Sequence, residues 1–198
     1  MDLLPALTIT PKSGQEPFTD NGQPLPLTLL DFWQWSSSDL VNNALRGVLA
    51  EFIVASALGC QTPTRTEWDA YDLQTAEGIK IEVKSAAYLQ SWAQKKLSTI
   101  QFNIKPTHSW DDETESRSLT KARQADVYIF CVLHHTDKAT VDPLNLDQWR
   151  FYLLSTKSLN KAAGEKKSIS LSTLKKRHPI EATYSEIKAA LQAVYTSA

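Results

Sequence analysis

In the run IKIEVKS, residues 79–85, apolar and polar side chains alternate. Period two is strand periodicity, so Ile79, Ile81 and Val83 fall on one face and Lys80, Glu82 and Lys84 on the other. Upstream, Tyr71, Leu73 and Thr75 repeat the pattern and Gly78 stands in the connection, which predicts a β-hairpin. A loop of Ala76, Glu77 and Gly78 opposes Thr75 with Ile79, Leu73 with Ile81 and Tyr71 with Val83, giving one apolar face. The same register sets Asp72 opposite Glu82 on the polar face, with Cβ atoms about 5 Å apart. A slip by one residue would turn Asp72 away and spoil the apolar pairs, so two criteria support the register.

Two carboxylates held that close repel unless a positive group sits between them. Mg²⁺ suits such a gap, and Mn²⁺ is an alternative, because a hard cation takes oxygen ligands, keeps several waters and needs few carboxylates. Lys84 lies one side-chain period beyond Glu82, where an ammonium can orient an attacking water or neutralise charge building up on phosphate oxygens. The chemistry this combination supports is metal-assisted hydrolysis of a phosphodiester. The plain alternative is a solvated strand face carrying an acid and a lysine.

Glu51 is the only acidic residue between Asp39 and Glu67. It belongs to a helix expected to be capped by Ser38 or Asp39, to run to Leu58 and to stop at Gly59. At about 100° per residue, Glu51 falls in the middle of an apolar face of Leu40, Ala44, Gly47, Val48, Val54, Ala55 and Leu58. A carboxylate aimed into a core needs a partner or a cation. The structural alternative is a salt bridge to Arg46 or Arg65.

The remaining elements must hold these groups together. LSTIQFNI, residues 97–104, reads as a strand with Ile100, Phe102 and Ile104 on one side. THSWDDETESRS, residues 107–118, reads as an acidic loop, with a short helix over Leu119 to Gln124. DVYIFCVL, residues 126–133, has the continuous apolar character of a central strand covered on both faces, and WRFYLLS, residues 149–155, reads as its neighbour. A short helix near Ser158, a strand over residues 168–172 and a last helix opened by a capping box from Thr183 to Glu186 follow. The order predicts a mixed α/β sandwich around one sheet, spanning residues 31–198 as a single domain. Residues 1–30, with Pro5, Pro11, Pro17, Pro24 and Pro26, read as an irregular arm.

Composition sets limits on this reading. With 198 residues, 42% of them hydrophobic, the chain can bury a core without staples. It has no run of 18 apolar residues and no secretory leader pattern, so a cytoplasmic protein is expected, with no membrane partner. Cys60 and Cys131 have no zinc-finger spacing and read as free thiols. A net charge of −1 speaks against a protein that coats nucleic acid, but not against an enzyme that gathers cations around carboxylates. Basic clusters stand at Lys95/Lys96, Lys121/Arg123, Lys166/Lys167 and Lys175/Lys176/Arg177.

An acid in the first helix, an Asp on one strand and Glu-x-Lys on the next resemble the signature of the PD-(D/E)XK nuclease superfamily. Here these are Glu51, Asp72 and Glu82-Val83-Lys84, and the resemblance covers the core from Leu40 to Leu133. It implies a restriction-endonuclease-like, three-layer α/β/α core with a mixed central sheet. It also implies one or two divalent metals on Asp72, Glu82 and Glu51, with Lys84 assisting the water. The implied activity is Mg²⁺-dependent endonuclease cleavage of DNA, of restriction or defence type; the alternative is a catalytically silent module that binds nucleic acid or a partner protein. A homodimer is compatible with cutting both strands, although no feature marks an interface. Tyr71 replaces the Pro of the literal motif, and Asp69 is a rival for the Asp role. Gln90, Gln101 and Ser85 stand near the same strand edge. His134 and His135 are adjacent and point apart if extended, which makes them a poor metal pair. Trp35, Trp68, Trp92 and Trp110 are the aromatics considered for base stacking, against the commoner role of packing.

Overall fold

The computed structural model describes residues 4, 7–65, 70–108, 110–111, 116–117 and 121–197, and the chain divides into two compact units. The first is Met1–Asp39 with Thr62–Trp68. In it, β1 (Pro17–Asp20) and β2 (Gln23–Thr28) form an antiparallel pair. Asn21 and Gly22 turn between them with φ of 48° and 78°, the left-handed pair that matches strand twist in a tight hairpin. Helix α1 (Leu29–Ser37) follows directly, opened by a capping box in which Asp31 accepts from the Thr28 N–H at 2.7 Å. This stretch was expected to be irregular to residue 30; Pro17, Pro24 and Pro26 lie in the paired hairpin instead, Pro11 precedes it outside any strand, and Pro5 lies outside the described residues.

The second unit is Leu40–Gln61 with Asp69–Ala198. Helix α2 (Asn43–Leu58) is capped by Asn42, whose side chain accepts from Ala44 N–H at 2.9 Å, and not by Ser38 or Asp39. It ends as expected at Gly59, whose φ of 67° closes the last turn. The strands are β3 (Leu73–Gln74), β4 (Lys80–Ala87), β5 (Gln101–Asn103), β6 (Trp110–Asp111), β7 (Ser116–Arg117), β8 (Val127–Leu133) and β9 (Trp149–Ser155). After them come α3 (Thr156–Ala163), β10 (Ser168–Ser170), α4 (Leu171–Lys175), β11 (Ile180–Ala182) and α5 (Ile187–Thr196).

The central sheet is mixed and five-stranded, in the order β11-β9-β8-β4-β3. Only β4 and β8 run parallel, with Glu82 beside Tyr128 and Lys84 beside Phe130. Every residue of β8 is buried, as a strand covered on both faces requires. On one face α2 and α5 cover Ile81, Val83, Ile129 and Cys131. On the other, Phe130, Tyr128 and Tyr152 pack with Phe102 and Ile169 of the β5/β10 pair and with Leu159 of α3 and Leu174 of α4. The second cover is thus part strand and part short helix.

Other expectations are met or moved by packing. Ile100, Phe102 and Ile104 are all buried together. Residues 121–124 are not helical: Ala122 forms an isolated bridge with Thr107, and Leu119 and Thr120 lie outside the described residues. The expected 168–172 strand passes into α4 at Leu171. The Thr183–Glu186 capping box forms, leading through a 3₁₀ turn into α5. Arg123, of the Lys121/Arg123 cluster, is buried and donates to Ile104 O at 2.8 Å and Lys166 O at 3.0 Å, so it staples the second layer.

Candidate active site

Strand β4 keeps strict alternation. Ile81 and Val83 are buried under α2, and Glu82 and Lys84 point to the opposite face. There the Lys84 ammonium meets Glu82 Oε1 at 2.5 Å, and the two side chains are 28% and 20% exposed. Their floor is Tyr128 and Phe130 of β8. Burial, then the Glu82 charge, pushes the Tyr128 phenol up, so it stays protonated at neutral pH. A charged pair over an aromatic, poorly hydrated floor interacts more strongly than in water.

The hairpin register is the expected one, with Leu73 opposite Ile81 and Gln74 opposite Lys80. Regular pairing stops there. The Asp72 N–H also turns to Ile81 O, at 3.0 Å, so two residues stand against one, as in a β-bulge. The alternation inverts across this irregularity: Leu73 packs with the α2 side, whereas Tyr71 packs with the opposite cluster, its ring under the Lys80 ammonium. Tyr71 therefore does not share the apolar face proposed for it with Val83. Asp72, freed from the ladder, accepts the Val83 N–H through Oδ2 at 2.7 Å.

The Asp72 carboxyl is held well above its ordinary range. Burial and then the Glu82 charge push its carboxyl up to about 6; Lys84 and the Val83 hydrogen bond pull it down, and Glu51 adds a smaller upward push. Like charges are thus crowded around a half-buried carboxyl.

Glu51 is placed differently from the sequence reading. The buried residues of α2 are Arg46, Ala50, Ile53, Val54, Ala55 and Leu58, whereas Val48 is 41% and Phe52 61% exposed. Glu51 flanks the buried stripe and is half-buried. Its charge reaches Asp72 and the Cys131 thiol. Among the described residues no three His, Cys, Asp or Glu side chains gather as a metal-holding group. The structure brings Asp72, Glu82 and Lys84 together and leaves Glu51 at the margin.

Arg46 and Ser85 carry a link that the sequence did not reveal. Arg46 is 3% exposed and donates to Val41 O and Asn43 Oδ1, each at 2.7 Å, and to Ser85 Oγ at 3.2 Å. It fastens the first turn of α2 to the residue after Lys84. A buried Arg at the phase of Ala50 and Ile53 was the available signal.

The neighbouring polar residues have structural partners. Gln90 is buried and its amide donates to Ala87 O and Ser98 Oγ, both at 3.3 Å, while its Oε1 meets no donor. Gln101 donates to Ser168 Oγ at 2.7 Å across the β5/β10 pair. His134 turns to Asp147 O and His135 to Thr140 Oγ1, so both are tied within the connection from β8 to β9 by different partners. Asp69, Trp68 and the Trp110 side chain lie outside the described residues, as does much of 107–118, of which β6 and β7 are described.

Residues 29–173 match the family model described as bacteriophage T4 endonuclease IV. No curated protein matches the chain. Among the described residues no helix is long and apolar enough to cross a membrane.

Proposed function

The chain belongs to the bacteriophage T4 endonuclease IV family, and from that premise we propose that it is a Mg²⁺-dependent DNA endonuclease whose centre is Asp72, Glu82 and Lys84. The observation that carries this reading is the crowding around Asp72: a carboxyl pushed up to about 6 by burial and by Glu82, with Glu51 adding to it. Such a cluster has the donor set of a hard divalent cation. One or two carboxylates, waters and a substrate phosphate complete the usual magnesium shell, so a group of three protein ligands is not required. Asp72 and Glu82 are the residues that would hold the ion, with Glu51 acting on it through water or through Asp72.

A bound cation would polarise the scissile phosphate and make a coordinated water more acidic. The chain's own residues supply the rest. Val83 N–H fixes one Asp72 oxygen and leaves the other for ligation. Lys84, on the face of Glu82, is placed to hold the attacking water or to neutralise charge on the phosphate oxygens. Tyr128 and Phe130 keep bulk water from one side. The arrangement is read as a restriction-endonuclease-like, PD-(D/E)XK core, supported by an acid just before the strand that pairs with Glu-x-Lys and by β4 running parallel to β8.

The test uses purified protein with plasmid, short duplexes and single strands, with and without Mg²⁺ or Mn²⁺, in parallel with Glu82→Ala and Lys84→Ala. Metal-dependent internal cleavage lost in both variants is expected. Equal cleavage by the variants, or cleavage that survives EDTA, overturns the assignment.

A further inference from the structure

The ends of β4 and β8 lie side by side, because Ala87 and Leu133 are the last pair of their parallel ladder. The segments that leave them therefore emerge from one edge of the sheet. The first, residues 88–98, is closed by Ser98 N–H donating to Tyr88 O at 2.8 Å. Inside it, Gln94 accepts from the Gln90 N–H at 2.7 Å and donates to Tyr88 O at 3.2 Å and Ser98 Oγ at 3.1 Å. The second segment reaches across: Lys138 Nζ donates to the backbone carbonyl of Trp92.

This framework displays an unusual set of groups. Trp92 is 55% exposed, and Lys95 and Lys96 of the same loop and Lys138, bonded to the Trp92 carbonyl, are exposed as well. Among the described residues none of these lysines forms an ion pair. An exposed tryptophan alone says little, since much of any protein surface is apolar. Mounted on a hydrogen-bonded loop with unpaired ammonium groups beside it, it has the parts of a nucleic-acid contact: an aromatic plane for a base and cations for the backbone. A loop already held by its own amide network also loses little entropy on binding.

We propose that residues 88–98 and Lys138 form a strand-holding element, in which Trp92 stacks on a base outside the scissile position and Lys95, Lys96 and Lys138 bind the adjoining phosphates. At about 3.3 Å per residue, the strand from Lys84 to Ala87 covers about 10 Å, a few nucleotides from the reacting phosphate. The element gives DNA a grip that does not pass through the metal site. It rests on the endonuclease reading for the identity of its ligand.

The experiment measures anisotropy of short labelled oligonucleotides, single-stranded and duplex, in EDTA over a series of salt concentrations. Trp92→Ala weakens binding about tenfold and Trp92→Phe by about threefold or less, as expected for stacking. The double variant Lys95→Gln/Lys96→Gln lowers the slope of log affinity against log salt by about 1 to 2. Melting temperatures stay at the wild-type value, because these side chains are exposed. Wild-type affinity in Trp92→Ala, an unchanged salt slope in the lysine variant, or losses that track a lowered melting temperature overturn the proposal. Cleavage by wild type that is lost in Glu82→Ala but untouched in Trp92→Ala removes this element and leaves the nuclease assignment standing. Absence of both binding and cleavage in the wild type overturns the two together.

Discussion

The Asp72 carboxylate accepts the backbone N–H of Val83 at 2.7 Å, which carries it out of the β3 ladder and to the residue between Glu82 and Lys84. This single contact turns a hairpin irregularity into part of the proposed site. It also holds a carboxyl where its ionised form is disfavoured, with its pKa pushed up to about 6 from an ordinary 3.8.

That shift has a stability consequence of definite sign. Between pH 3.8 and about 6 the folded chain keeps the Asp72 proton that the unfolded chain has lost. Stability from this group is therefore present at low pH and is lost as pH rises through about 6. Asp72→Asn removes the cost, and at pH 7 the metal-free variant should be more stable than wild type by on the order of 2 kcal/mol. Urea unfolding at pH 4.5 and pH 7 checks this; a variant less stable at both would show that the carboxylate is held by more than its crowded neighbours.

Magnesium should reverse the same cost. Added Mg²⁺ raises the wild-type melting temperature, with a gain approaching about 2.7 kcal/mol at a hundred times the dissociation constant. Asp72→Asn and Glu82→Gln should lose this response, and calorimetry with and without Mg²⁺ reads it directly.

Lys84→Met should lower the cleavage rate by about 10² to 10⁴, the range for a group that moves or holds a proton. DNA affinity in EDTA should change little, because the lysine is neutralised by Glu82 in the resting protein. Single-turnover rates beside anisotropy separate the two effects.

Arg46→Ala empties the buried place of the Arg46 side chain and removes a donor from the half-buried Val41 carbonyl and Ser85 hydroxyl and from the exposed Asn43 amide oxygen. A loss of about 2 to 4 kcal/mol in urea unfolding is expected. Arg46→Lys should recover only part of it, since one ammonium cannot reproduce the fork.

Cys131 is fully buried, and burial pushes its thiol well above the ordinary range, so it should resist thiol reagents until the chain unfolds. Cys60 is half-buried and also raised. Titration with a chromogenic disulfide should show slow reaction at Cys60 and a second thiol only in denaturant.

Much of the core was legible because side-chain alternation depends on backbone geometry alone. The apolar run read over 126–133 became the central strand Val127–Leu133, and the three-residue hairpin loop placed Leu73 against Ile81. What escaped depended on single backbone choices. One extra residue against Ile81 sent Tyr71 to the other face, which no periodicity argument anticipates. The start of α2 moved from Ser38 or Asp39 to Asn42, since several residues there are able to cap and only packing selects among them. Glu51 was placed at the centre of an apolar face because Val48 and Ala44 were counted as core; both are exposed, and the stripe turned toward Ala50 and Ile53. The strand Ile180–Ala182 was missed for its brevity.

The parallel pairing of β4 with β8 sets the order in which the proposed site can form. Lys80 is bonded to Asp126, 46 residues downstream, so the loop between them must close before the floor beneath Glu82 and Lys84 exists. A nascent chain released from the ribosome only as far as about residue 100 of this numbering carries both carboxylates and the lysine but no aromatic platform under them. The proposed site is incomplete until synthesis has passed well beyond Lys84, and recovery of cleavage during refolding should lag the recovery of helix signal.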